Sequence, residues 1–199
     1  MRTLLRTCRI CLQATLVTLV LTGIAYPLAM TGLAGLLFPA QASGSLVSDA
    51  RGRVVGSALI GQLFTNPGYF QGRPSAAGDG YDATTSGGSN LGPTSAKLRE
   101  RAKADVARLQ KENPEAPLPI PAELVTTSAS GLDPHLGPAA AAWQVKRVAR
   151  ARGVEPARVQ RLVEDLTEGR QLGFLGEPRV NVLALNLALD RQFGAPLPR

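Results

Sequence analysis

A chain of 199 residues with 22 basic and 15 acidic side chains carries a formal charge of +7, with hydrophobic residues at 44% and charged residues at 19%. Such an apolar share excludes an intrinsically disordered chain, and the length suits one domain with its own core rather than two. The charge is unevenly placed: Arg2, Arg6 and Arg9 come first, no Lys, Arg, Asp or Glu occurs from Ile10 to Phe38, and the other 19 basic and all 15 acidic residues follow. The mean hydropathy of +0.02 is therefore an average over two unlike parts.

The run from Ile10 to Phe38 exceeds the roughly 20 apolar residues that cross a bilayer core, so it predicts a single transmembrane helix. Pro27, beside Tyr26 near its middle, removes one backbone hydrogen bond and predicts a bend. Gly23, Gly32 and Gly35 leave shallow places where a partner helix could pack; the alternative is the ordinary enrichment of Gly and Pro in spanning helices. Three arginines before the span orient residues 1–9 to the cytoplasm and the rest outside. The rival reading is a cleaved signal, since Ala40-Gln41-Ala42 has a small-x-small form, but its apolar region would be about 7 to 15 residues. Cys8 and Cys11 form a lone CxxC, too few ligands for a zinc site, and read as ordinary cysteines at the membrane edge.

Residues 39–45 read as a flexible linker and residues 46–199 as one extracytoplasmic domain; the fold class is α+β, a spanning helix followed by a mixed α/β domain. Residues 46–48 and 54–60 flank Asp49–Arg53 as a hairpin. Asn66 to Pro93 is rich in Gly, Pro, Ser, Asn and Asp, and Tyr69, Phe70 and Tyr81 mark it as an ordered surface loop. Thr94 or Ser95 caps a helix to about Glu112 that Asn113-Pro114 ends, with Leu98, Val106 and Leu109 inward. A short strand is expected at 123–127, a helix from Pro138 to Arg152 stopped by Gly153, and a helix from Pro156 to Glu168 closed by Gly169. Val180 to Leu189 alternates like a strand, yet its Ala, Leu and Asn content favours a helix.

Catalytic signatures are sparse. No GxxxxGK[ST] phosphate loop and no GxSxG elbow occurs. One histidine, His135, leaves no metal site built on several histidines, and Asp133 and His135, separated by Pro134, are poorly spaced to orient each other in a hydrolase triad. The basic stretches at 97–111 and 146–161 read as solvated helix faces rather than a nucleic-acid surface. The loop Ser86-Gly87-Gly88-Ser89-Asn90 could form an anion-binding nest of backbone amides, or a tight turn held by Ser and Asn side chains, which is the favoured reading.

The strings GSLVSDARGRVVGSALIGQLF, NPGYFQGRPSA, YDATTSGGSNLGP, LVTTSASGLDPHLGPAAA, RVARARG and LGEPRVNVLALNLALD follow one another after the span. In this order the chain resembles the C subunit family of the Kdp high-affinity potassium-transporting P-type ATPase, over essentially residues 10–192. The resemblance implies a non-catalytic accessory subunit of the bacterial inner membrane. Its implied partners are a channel-like potassium-binding subunit, a catalytic P-type ATPase subunit and a small membrane subunit. It implies no cofactor of the chain's own, with ATP and potassium handled by the complex, and a role in assembly and in raising the ATP affinity of the catalytic subunit. The DKTGT phosphorylation motif of such pumps and a TVGYG-like filter are absent from the chain. The SGGSN loop at 86–90 is similar to the SGGQ signature of ABC transporters, but the topology puts it outside, so any effect on ATP affinity is expected to be indirect. Tyr69, Phe70, Arg73, Asp133 and His135, in two turn-rich segments, are the candidate partner contacts. The alternative function is an exported, membrane-anchored ligand-binding module using the Gly-rich loop at 86–92.

Overall fold

The computed structural model describes residues 1–49 and 51–196; Ala50, in the predicted hairpin turn, and residues 197–199 lie outside the described residues. The chain divides into two compact units, Met1–Leu46 and the part from Val47 onward.

The first unit is a helix over Arg2–Leu37, 36 residues with no buried position, long and apolar enough to cross a membrane. At ~1.5 Å per residue it is about 54 Å long, well beyond a ~30 Å hydrocarbon core, so the arginine-bearing segment expected ahead of the span is itself helical. It comprises α1 (Arg2–Val20), a π-helical turn (Leu21–Ala25) and α2 (Tyr26–Leu37). The π turn lies immediately before Pro27, and the Tyr26 N–H reaches back to the Leu21 carbonyl. Proline has no N–H and its ring crowds the carbonyl four residues back, so a widened turn takes up the defect expected at this point. The linker departs from expectation: Pro39–Ala42 forms a short helix, α3, because Pro39 at its first position has the right fixed φ.

After the helical segment, β1 (Leu46–Ser48) pairs with β2 (Val54–Ser57), and Asp49 holds the connection, its carboxylate accepting from the Arg51 and Arg53 amides and the Arg53 side chain. β2 ends before Ala58, three residues earlier than predicted. An irregular stretch leads to α4 (Ala96–Glu112), capped by Ser95, whose hydroxyl accepts from the Leu98 N–H at 3.4 Å. The strand expected at 123–127 is a single 3-10 turn, Ala122–Leu124. Glu123 is drawn instead to the start of the next helix, where its carboxylate accepts the Gly137 N–H at 2.6 Å, a favourable place for negative charge.

A three-stranded antiparallel sheet in the order β3-β5-β4 follows from very short strands: β3 (His135–Leu136), β4 (Thr167–Glu168) and β5 (Arg179–Asn181). Its register sets Leu136 and Thr167 on either side of Val180. Between β3 and β4 run α5 (Pro138–Arg152), ended by Gly153 at φ 64°, and α6 (Pro156–Asp165). The predicted extension of α6 to Glu168 is lost to β4, where Glu168 pairs with Arg179 across the strands at 3.0 Å. The ambiguous segment after Pro178 divides: β5 first, then α7 (Val182–Phe193), switched at Asn181, whose side-chain oxygen caps the helix while its amide donates to the Ala58 carbonyl.

The core joins α5, α6, α7 and the sheet through Leu136, Val148, Val159, Val163, Val180 and Leu185, together with Phe70 from the irregular stretch. Phe70 has no exposed surface. Its backbone cannot use a strand partner, so Asn186 of α7 takes both groups: its oxygen accepts the Phe70 N–H at 2.8 Å and its amide donates to the Phe70 carbonyl at 3.0 Å. Gln144 of α5 does the same for Gln71, at 2.9 and 3.0 Å. Each buried backbone group left unpaired costs about 1–3 kcal/mol, so Asn186→Ala is expected to destabilise the protein by about 2–5 kcal/mol, read as a lower urea midpoint with unchanged slope.

Candidate functional site

The turn-rich segments 66–93 and 128–135, which carry the candidate contacts, lie against each other. The Gly61 N–H donates to the Leu132 carbonyl, the Ser75 hydroxyl to the Gly131 carbonyl, and both the Gly87 N–H and the Ser86 hydroxyl to the Ser130 carbonyl. Gly131 sits at φ 68°, and a Cβ there would come within 2.7 Å of the Gly87 oxygen and the Ala77 nitrogen, so this position requires glycine for both conformation and space.

Arg73, Asp133 and His135 form one polar cluster at this junction. Arg73 donates to Asp133 at 3.2 Å and to the carbonyls of Thr126 and Thr127 at 3.4 and 3.3 Å. The other Asp133 oxygen accepts the His135 N–H at 3.0 Å, and His135 Nδ1 lies 3.5 Å from it. Across Pro134 the Asp133 carboxylate caps a two-residue turn, hydrogen-bonding the His135 backbone and lying near its ring. That carboxylate is shared with Arg73, so it holds a turn together as well as facing the histidine. Tyr81, whose hydroxyl donates to the Arg73 carbonyl, closes the other side; burial, then the nearby Asp133 charge, raises its pKa.

The Gly-rich loop is neither the open nest nor the self-contained turn considered above. The Gly87 amide is used by Ser130, Ser89 accepts from Thr127 at 3.4 Å, and Gly88 is pressed against Ala129, whose oxygen would lie 2.9 Å from an added Cβ. Asn90 is exposed and takes a left-handed φ of 50°. Beside this junction runs an open groove of about 420 Å³ between the 63–81 stretch and α4. Its charged lining includes Arg108, which is engaged by Gln71, Asp105 and Glu112. Among the described residues no group of three His, Cys, Asp or Glu side chains could hold a metal ion.

Tyr69 and Phe70 part company with the other candidates. Phe70 is core and offers no surface to a partner. Tyr69 is half-buried: its hydroxyl donates to Asp190 at 2.8 Å, and the Arg152 guanidinium, 2.9 Å from the same carboxylate, stacks 5.0 Å from its ring centre. Arg147, which sequence reasoning left among the solvated charges, is buried and donates to the carbonyls of Pro67 and Tyr69 and to Gln144. Burial lowers its pKa to about 10, which leaves it charged at neutral pH. The clue lay in its helical spacing from Gln144, three residues back on one face. In the spanning unit, Pro27 lies just after the π turn, Gly23 approaches only Leu19, and a Cβ at Gly32 or Gly35 would meet nothing within 4 Å.

A family model described as "KdpC: K+-transporting ATPase, c chain" matches residues 8–191. The chain belongs to the KdpC family. It is 67% identical over 196 residues to the potassium-transporting ATPase KdpC subunit of Myxococcus xanthus, covering 98% of this chain and 89% of the relative. The subunits of Koribacter versatilis and Bradyrhizobium diazoefficiens are 58% and 56% identical, over 93% and 94% of this chain and 94% and 98% of theirs. Membership makes the chain a component of a potassium-transporting ATPase complex, and among the described residues one helix is long and apolar enough to span a membrane.

Burial, reinforced by Asp190, pushes the Tyr69 pKa up to about 12 from the usual 10. An acid that keeps its proton better when folded contributes its stabilisation below the unfolded value and loses it as pH rises from about 10 to 12. Tyr69→Phe is expected to flatten part of the alkaline fall in stability, measured as the difference between the two proteins' denaturation midpoints from pH 8 to 12.

Proposed function

We propose that this chain is a non-catalytic accessory subunit, anchored by one span with its N-terminus in the cytoplasm and its domain outside. In this reading it assembles with a channel-like potassium-binding subunit, a catalytic P-type subunit and a small membrane subunit. It is needed for their stable assembly and raises the ATP affinity of the catalytic subunit indirectly, through packing. The observation that carries the reading is the occupation of the polar candidates: Arg73, Asp133, Ser86 and Gly87 spend their hydrogen bonds on fixing two loops to each other. The three arginines ahead of the span support the orientation.

Removal of residues 1–45 is expected to release a soluble folded domain and to abolish its co-purification with the complex. A complex that assembled and transported potassium with the truncated chain would sink the proposal. The alternative, a ligand-binding module using residues 86–92, is weakened by the use of the Gly87 amide within the fold. Calorimetry on the full chain in detergent is expected to give no ATP or potassium binding at micromolar concentration; a saturable signal lost in a Gly88→Ala variant would favour the alternative.

A further inference from the structure

The segment between β4 and β5 stands apart from the core, with every residue from Glu168 to Glu177 exposed. It is nonetheless built. Gln171 and Leu175 exchange both backbone hydrogen bonds at 2.9 Å, and Arg170 pairs with Glu177 at 2.7 Å at its base. Its tip presents Leu172, 83% exposed, and Phe174, 67% exposed, with Leu175 at 47% beside them. Leu172 holds a φ of 53°, a conformation that a leucine side chain disfavours and that glycine would take without strain. Two large apolar side chains are thus held in water on a closed loop, one at a backbone cost, with no core contact to account for them.

We propose that the loop from Arg170 to Glu177 is a preformed docking finger that inserts Leu172 and Phe174 into an apolar cleft on a neighbouring protein subunit of the transport complex. It rests on family membership, which makes the chain one component of several, and not on the accessory role proposed above. Charge argues for protein rather than lipid. The collar has two arginines and two glutamates, paired as Arg170 with Glu177 and Arg179 with Glu168, so it lacks the positive excess that holds a loop to an anionic membrane. A second copy is a poor recipient too, because the broad groove of this chain is rimmed by Asp79, Asp105, Arg73 and Arg108. The fixed shape suits a cleft, since an anchor ordered beforehand loses less freedom on docking.

The test uses the full chain co-expressed with its complex. Leu172→Ser combined with Phe174→Ser is expected to lower co-purification on the order of tenfold while the thermal midpoint of the purified chain does not fall. Leu172→Gly separates docking from folding, because removing the strained side chain should leave the chain at least as stable yet reduce its retention in the complex. A photoreactive phenylalanine analogue at position 174 should form an adduct with another subunit. Undiminished co-purification of either variant, or adducts formed with lipid alone, would overturn the proposal.

Discussion

The domain depends on a row of buried polar side chains that substitute for a β-strand. The stretch Pro67–Gln71 passes over α5 and α7 with Gly68 and Phe70 buried and no strand paired to it. Asn186 and Gln144 each take the N–H and C=O of one residue, Arg147 takes the carbonyls of Pro67 and Tyr69, and Arg152 takes that of Gly68. An unpaired amide or carbonyl in the interior is costly, so this row lets Phe70 enter the core from a loop. The same helices supply the apolar contacts, which is why the polar row and the core form together.

Once that stretch is fixed, the rest of the Gly-rich region has a surface to lie on. Arg73 carries the chain to Asp133, Ser75 to Gly131, and Ser86 and Gly87 to Ser130. Two segments rich in serine and glycine thereby close on each other through carbonyls met by hydroxyls and amides and through glycines small enough for close approach. Groups that look chemically idle in the sequence are in this way bound into the fold.

The anchor and the finger present a different kind of surface. The 36-residue helix has no buried residue, and a Cβ added at Gly32 or Gly35 would meet nothing within 4 Å. The loop from Arg170 to Glu177 likewise holds its apolar side chains outward. Both place hydrophobic area where the described residues do not cover it.

Sequence alone was sufficient wherever the cause is local. The long apolar helix follows from an uncharged run, the disturbance near Pro27 from a missing N–H, the start of α4 from Ser95, the end of α5 from Gly153, and the KdpC family from the order of its strings. Tertiary structure decided what depends on partners distant in the chain. Residues 123–127 have strand-like composition but no strand to pair with, and Glu123 is claimed by Gly137; Thr167 and Glu168 leave α6 because Val180 and Arg179 lie opposite them. Phe70 looks like a surface aromatic until Asn186, 116 residues away, satisfies its backbone. The charge of +7 divides in the same manner: its uneven placement, with three arginines ahead of an uncharged run, is legible in the sequence, whereas the burial of the Arg147 and Arg152 side chains beneath a loop emerges only when α5 packs against it.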